Sequence, residues 1–334
     1  MRNDTRKLFD TYQQRIAQLN GVTDPTKTFT AEPSVQQTLE TKMQESSEFL
    51  GRINLIPVDE LKGEKIGLGV GSTIASRTDT TTKSRQPRSV GTLDADGYEC
   101  RKTDFDTFVK YQQLDAWAKF PDFQTRLANA ILQRQALDRI TIGFNGTSAA
   151  ADTDRAAHPL LQDVNIGWLQ QYRAHAPARV MDHGTVAGKV SIGAAGDYKN
   201  LDALVFDAIT LLDPWYQRSP ELVVLTGREL IHDKYFPLVN RDQAATDTLA
   251  TDVILAQRRI GGLQTFDVPY IPAGTLLITS FANLSLYWQV GGRRRHIVEE
   301  PQNDRITNYE SSNDAYVVED YGFGAVVENI EVAE

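Results

Sequence analysis

The chain has 334 residues, of which 41% are hydrophobic and 24% charged, enough for one large or two modest domains with a buried core. Its formal net charge of −9 disfavours dedicated nucleic-acid binding, because an acidic surface repels phosphates. Cys100 is the single cysteine, so no internal disulfide can form, and no apolar run approaches the roughly 20 residues of a membrane span. We expect a globular protein of a reducing compartment, without a membrane.

Two helices joined by a polar linker are predicted at the start of the chain. The first covers residues 2–20 and ends at Asn20-Gly21, and its apolar residues share one face: Leu8, Phe9, Tyr12, Ile16 and Leu19. After the linker, Ser34 with Gln37 three residues later has the pattern of a capping box. It predicts a second helix as far as Leu50, whose thin apolar stripe requires a partner.

Residues 63–97 differ in character from the rest of the chain. Ile66, Leu68 and Val70 alternate with glycines, and a stretch rich in Ser and Thr follows from Ser72 to Thr92. Alternation with period two predicts an extended ribbon. A loop of this length is unusual inside a compact domain, so we expect a projecting two-stranded arm.

The strongest helix is predicted for residues 121–143, with Pro121 in its first turn and Gly143 at its end. Its apolar residues repeat at helical spacing, interrupted by Arg134: Phe123, Leu127, Ala130, Leu137 and Phe144. We expect Leu127 and Leu137 to face the body of the protein. The helix would be a rod of roughly 32 Å.

An α/β unit is predicted for residues 200–290. Before it, a short helix from Asp163 to Arg173 and a small hairpin around Gly188 are expected. The elements of the unit are helices from Leu201, from Arg228 and over residues 246–259, and strands at residues 222–225, 276–279 and 284–288. Beyond it, four strands separated by polar turns are predicted, at residues 296–298, 305–309, 315–318 and 325–332.

The sequence contains no arrangement that predicts an enzyme, a cofactor or a metal site. The histidines are scattered and lack metal-ligand spacing: His158, His175, His183, His232 and His296. The glycines at residues 67–71 have the wrong spacing for a dinucleotide loop. Arg258-Arg259 and the run from Arg293 to Arg295 are candidates for phosphate contact, although subunit salt bridges or helix capping are favoured.

Ordered blocks over nearly the whole chain resemble the major capsid proteins of P2-like phages. The blocks are Glu32-Pro33-Ser34-Val35, Met43-Gln44-Glu45-Ser46-Ser47, Arg52-Ile53-Asn54, Lys62-Gly63-Glu64-Lys65-Ile66-Gly67, Gly143-Phe144-Asn145-Gly146, Leu161-Gln162-Asp163-Val164, Gly167-Trp168-Leu169-Gln170, Ala176-Pro177-Ala178-Arg179-Val180-Met181, Asp233-Lys234-Tyr235-Phe236-Pro237 and Val317-Val318-Glu319-Asp320-Tyr321. Residues 78–97 and 149–155 diverge from the pattern. The resemblance is more specific than any one motif.

The resemblance implies an α+β fold of the HK97-like capsid type. Its parts would be an N-terminal arm (residues 1–62), an extended E-loop (residues 63–97) and a peripheral domain (residues 98–199) that contains the spine helix at 121–143. An axial domain (residues 200–290) and C-terminal strands that return to the peripheral domain (residues 291–334) would follow. The implied function is that of a structural subunit of an icosahedral head shell.

The resemblance also implies partners and a maturation step. Subunits of this family form hexamers and pentamers with a scaffolding protein and a portal protein, and a protease trims the N-terminal region. Packaged double-stranded DNA would be contacted non-specifically, and the virion would be assembled in the bacterial cytoplasm. We expect removal of residues 1 to about 30, because exposed polar linkers are where proteases cut. The expected cut lies near Phe29, Thr30 and Ala31, and Leu8, Phe9, Tyr12 and Ile16 are expected to contact the scaffold.

Three alternatives remain open at this point. An encapsulin-like protein compartment has the same fold, and a soluble α/β enzyme with a divergent active site is a weaker candidate, since no catalytic constellation is present. For the N-terminal segment, the alternative to removal is a permanent structural arm.

Overall fold

A computed structural model describes residues 1–65, 75–87, 97–117, 120, 123–239 and 258–332. The helices in these ranges are α1 Asn3–Leu19, α2 Pro33–Glu45, α3 Tyr111–Trp117, α4 Phe123–Asn145, α5 Trp168–His175, α6 Leu201–Ala208 and α7 Arg228–Val239. The strands are β1 Phe29–Thr30, β2 Asn54–Val58, β3 Lys62–Glu64, β4 Gly97–Glu99, β5 Arg101–Asp104, β6 Thr107–Lys110, β7 Val180–Met181, β8 Val190–Ile192, β9 Val223–Thr226, β10 Arg259–Ile260, β11 Leu263–Asp267, β12 Leu276–Thr279, β13 Leu284–Gln289, β14 Arg294–Glu300, β15 Arg305–Val318, β16 Ala325–Val327 and β17 Ile330–Val332.

Two mixed sheets form the body of the protein. The first has the order β1-β14-β15-β13-β2, with β5 and β6 also paired to β15, and the second has the order β10-β11-β9-β12-β16-β7. The predicted strand at residues 284–288 is confirmed as β13, but its place in the 200–290 unit is wrong. Its Leu284 and Leu286 lie opposite Val318 and Tyr316 of β15, so the strand pairs with β15 and β2 in the first sheet.

The main hydrophobic core lies between the two sheets and is closed by α4 and α5. Its aromatic centre is formed by Phe49, Phe144 and Trp168, with ring centroids 5.3–5.9 Å apart. A second hydrophobic core lies between α6 and the other face of the second sheet, and a third lies under α1 and α3. The strands β9 and β12 are apolar and buried along their full length because they lie in the interior of the second sheet.

The longest strand, β15, was predicted as two strands separated by a polar turn. It runs unbroken through Glu310, Ser312 and Asp314, because these polar side chains are buried and hydrogen-bonded to other segments. The polar stretch is therefore a strand that carries a buried ionic cluster.

The helix α4 confirms the predicted long helix, but its buried face and its end differ from the prediction. The buried residues are centred on Ala136, Ile140 and Phe144, whereas Ala130 is exposed and Leu127 and Leu137 are only half-buried. The helix continues past Gly143 to Asn145. A side chain at Gly143 would meet the Trp168 ring at 2.2 Å, so this glycine allows close packing of α5 and does not end the helix.

Two further helix boundaries also differ from the prediction. The N-cap of α2 is Glu32 without a side-chain cap bond, so Ser34 lies inside the first turn and the capping-box prediction is wrong. This helix ends at Glu45, and α5 begins at Trp168 rather than at Asp163. The helix expected over residues 246–259 falls almost entirely outside the described residues, and Arg259 lies in β10.

Candidate functional site

The N-terminal segment, defined here as residues 1–32, packs on the chain's own body. Ile16 of α1 is 5% exposed and joins Phe29, Leu114, Ile297 and Ile306 in the third hydrophobic core. The apolar face that predicted α1 is thus partly buried within the subunit, against α3 and the strands β14 and β15, whereas Leu8 and Leu19 remain exposed.

Polar contacts hold the same helix on the same surface. Arg6 forms two parallel hydrogen bonds to the Glu299 carboxylate, at 2.7 and 3.1 Å. The Thr5 hydroxyl donates to Asp115 at 2.7 Å, and the Arg2 backbone N–H donates to the same oxygen at 2.8 Å. The hydrogen bond from Arg6 lowers the pKa of Glu299 from its ordinary value, so the acceptor is ionised at neutral pH.

The expected processing region is part of a sheet in this structure. Phe29 and Thr30 pair antiparallel with Arg295 and Arg294 of β14, and the Ala31 N–H donates to the Arg293 carbonyl at 2.9 Å. The side chains of Phe29 and Ala31 are 9% and 5% exposed. The expectation of an exposed linker is therefore wrong at Phe29 and Ala31, whereas Thr30 and residues 26–28 are exposed.

The residues expected to contact a scaffold divide into two groups. Ile16 is buried in the subunit, and Phe9 and Tyr12 are half-buried, with the Tyr12 hydroxyl 3.1 Å from Arg295 Nη2. Leu8 is 46% exposed. It lies at an open apolar groove of 380 Å³ whose other walls include Phe108, Leu127 and Ile131.

A buried ionic cluster joins α2, α4 and the strands β14 and β15. Arg139 of α4 is 1% exposed and bonds both oxygens of Asp314, at 3.0 and 3.1 Å, and also the carboxylate of Glu40. Arg293 bonds Glu310 at 2.6 and 2.8 Å and Glu40 at 3.1 Å. Glu40 is therefore shared by both guanidinium groups and ties α2 to the body.

The charges in this cluster shift the two carboxyl groups of β15 in opposite directions. Burial alone would raise the pKa of Glu310, but Arg293 and Arg295 outweigh it and lower the pKa to about 2. Burial and the neighbouring Glu40 raise the pKa of Asp314 in spite of its bonds to Arg139. The cluster therefore holds three carboxyl groups against two guanidinium groups.

The sequence prediction missed this cluster. Glu40 and Arg139 each lie on the buried face of their helix, beside Met43 and Ile140 respectively. A charged side chain on the apolar face of a helix is the signal that identifies such a pair, because buried charges are normally partnered. Spacing alone could not identify the partners, which lie 99 and 175 positions away along the chain.

Of the predicted arginine runs, Arg293 and Arg295 bond other side chains of the subunit, whereas Arg258, Arg259 and Arg294 are exposed. Arg293 lies inside the ionic cluster, and Arg295 bonds Asn308 at 2.7 Å, so neither is available to phosphate in this state.

Burial raises the pKa of the Cys100 thiol to about 12, which keeps it unreactive. Within the described ranges, no group of His, Cys, Asp and Glu is arranged to bind a metal, and no helix combines the length and apolarity of a membrane span.

The predicted arm has a paired base. The strands β3 and β4 are antiparallel, and Lys62 bonds Glu99 across them at 2.9 Å. Tyr98 of β4 packs edge-on against Tyr287 of β13, with ring centroids 5.0 Å apart. Almost all of the described residues 75–87 are exposed, and the remainder of the predicted ribbon lies outside the described residues.

Comparisons with known proteins identify relatives over the full length of the chain. The model of the family "Phage major capsid protein, P2 family" matches residues 8–330. The chain is 51% identical to the capsid proteins of Escherichia phage P2, over all of this chain and 96% of the relative. It is 43% identical to the major capsid protein of Serratia phage KSP20, over 100% and 99% of the two chains. The chain also superimposes on a chain of the satellite phage P4 procapsid, with a TM-score of 0.84 and 49% identity. That structure includes the size determination protein Sid, and the match covers 100% of this chain and 99% of the other.

Proposed function

Because the chain belongs to the P2 family of phage major capsid proteins and forms the capsid shell of the virion, we propose a division of its parts between shell body and assembly elements. The family consists of structural proteins, and the fold is mixed α/β like that of its capsid neighbours. The 51% identity over the whole chain is the observation that carries the function. An encapsulin-like compartment is not favoured, since both curated relatives are phage capsid proteins.

The body of the subunit would consist of a peripheral domain built on the first sheet and an axial domain built on the second. The spine helix would be α4, and the residues 63–97 would project as the E-loop from the β3–β4 base. The strand pairing supports two domains that are each built from several separate segments of the chain, because β16 and β7 join the second sheet whereas β13 joins the first. The axial domain would therefore gain residues from both the 98–199 and the 291–334 ranges.

The proposed partners of the subunit are other copies of the chain, a scaffolding protein, a portal protein and packaged DNA. Copies of the chain would form hexamers and pentamers in the host cytoplasm, with a scaffolding protein inside and a portal protein at one vertex. Exposed Leu8 and the flanking surface of Phe9 and Tyr12 would contact the scaffold, whereas buried Ile16 supports only the fold of the segment. Packaged double-stranded DNA would be held without specific binding, as suits a chain of net charge −9.

The N-terminal segment would be removed when the shell matures. It packs on a small hydrophobic core that is separate from the main core between the sheets, so its loss leaves the main core intact. Intact-mass analysis of the protein from mature virions tests this. A chain that starts between Thr23 and Ser34 is expected, and a chain that starts at Met1 or Arg2 would show a permanent arm.

A further inference from the structure

We propose that the N-terminal segment is a self-docked strap that protects the bonds around residues 29–31, so that α1 must leave the body before the chain can be cut there. This inference rests on the proposed processing and specifies how it is regulated. It assigns α1 a role in timing the cut, in addition to any contact with a scaffold.

The protection follows from the pairing of β1. A protease binds its substrate as an extended strand and needs the backbone groups around the cut bond to be available. In this structure Phe29 and Thr30 pair with Arg295 and Arg294 of β14, and the Arg293 carbonyl accepts from the Ala31 N–H. The side chains of Phe29 and Ala31 are buried, so neither is presented to a protease.

The protection is coupled to α1 through Asn20. This buried side chain donates to the Ile16 carbonyl at 3.0 Å and accepts from the Glu32 N–H at 3.3 Å. It therefore joins the end of α1 to Glu32, two residues after the end of β1. Because Ile16 and Phe29 also share one hydrophobic core, displacement of α1 removes packing from β1.

The strength of the strap is set by contacts between α1 and the body. Ile16 contributes most because it is almost fully buried, and the Arg6–Glu299 pair contributes less because the Arg6 side chain is 49% exposed. Lys7 is adjacent to Arg6 and is exposed, and none of the described contacts involves its ammonium group. Lys7→Glu is consequently a matched control for Arg6→Glu, with the same change of charge.

Limited digestion of the purified full-length chain with chymotrypsin, which cuts after Phe, tests the proposal at the Phe29–Thr30 bond. Initial rates for this one bond are followed by intact mass and compared with a synthetic peptide of residues 21–38. We expect the wild-type bond to be cut at least about 100-fold more slowly than the peptide, since cutting then requires local opening. Ile16→Ala should accelerate the cut about 30-fold and Arg6→Glu about fivefold.

Two controls separate the strap from general destabilisation. Lys7→Glu should leave the rate within about twofold of wild type, and Arg6→Glu combined with Glu299→Arg should return it towards wild type. A thermal melt of each variant verifies that the body remains folded. Cutting of the wild-type bond at the rate of the peptide, or equal rates for Arg6→Glu and Lys7→Glu, would overturn the proposal. Intact mass of virion protein tests the processing itself, so failure of either idea is recognised independently.

Discussion

At the scale of single residues, the feature that organises the subunit is the buried cluster around Arg139 and Arg293. Each guanidinium contacts two carboxylates, and Gln135 bonds both Arg293 and Glu310. Burying such groups is costly, and removing one partner is strongly destabilising because it leaves an uncompensated charge. The segments that supply these side chains therefore cannot separate from one another individually.

The pH dependence of the free energy of unfolding should reveal the lowered pKa of Glu310. Its folded-state pKa of about 2 lies below the ordinary 4.5, so its ionised form stabilises the fold above about pH 4.5, and this stabilisation is lost as the pH falls towards 2. Glu310→Gln should lower the free energy of unfolding by on the order of 3 kcal/mol at neutral pH and by progressively less below about pH 4.5. Urea denaturation at several pH values from about 7 to about 3 measures the difference.

A matched substitution at the surface completes this test. Glu45 is exposed, so Glu45→Gln should change the free energy of unfolding by less than about 0.5 kcal/mol at every pH. A pH-independent loss in Glu310→Gln would mean that its carboxyl has an ordinary pKa in the folded protein.

At the scale of elements, α4 shows how tertiary contacts select the buried face of a helix. The face expected from apolar spacing contains Leu127 and Leu137, but these residues line grooves at the surface. The face that is buried contains Ala136, Arg139, Ile140 and Phe144, and it includes the arginine because Glu40 and Asp314 lie opposite. The spacing of Ala136, Ile140 and Phe144 agrees with this face, but a hydrophobic pattern could not predict that Arg139 is buried beside them, since its charge is partnered by distant segments.

Substitutions along α4 should follow the observed face. Ile140→Ala removes a fully buried side chain and should lower the free energy of unfolding by roughly 2–5 kcal/mol. Gln133→Ala, at an exposed position of the same helix, should cost less than about 0.5 kcal/mol. Chemical denaturation of both variants provides the measurement, together with Leu127→Ala as the half-buried intermediate case. If Leu127→Ala costs as much as Ile140→Ala, the face predicted from spacing is the one that carries the packing.

At the scale of the whole molecule, the chain passes repeatedly between the two sheets. The segment that supplies β12 continues into β13 in the other sheet, and β15 is followed by β16 in the second sheet. The core between the sheets therefore depends on residues from both ends of the chain, from Met43 to Val326. The N-terminal segment and the described residues 75–87 contribute no side chain to this core.

Removal of the arm should affect assembly rather than folding of the subunit. Deleting residues 72–92 leaves the β3–β4 base, and the described part of the deleted stretch is almost entirely exposed. The deletion variant should melt within a few degrees of wild type, since it loses little buried surface, but it should form no closed shells in electron micrographs. Normal shells from this variant would show that the arm is dispensable for contacts between subunits.

The sequence by itself was sufficient to determine the family, the shell function, and most helices and strands, including α1, α4, β12 and β13. Apolar spacing predicts these elements because it depends only on residues within one helix or strand. Only the tertiary structure decided which sheet receives β13, why β15 is unbroken, and which side chains neutralise Arg139. The physical reason is that a buried ion pair and a strand pairing are properties of two distant segments, so neither leaves a periodic signal in the segments that form it.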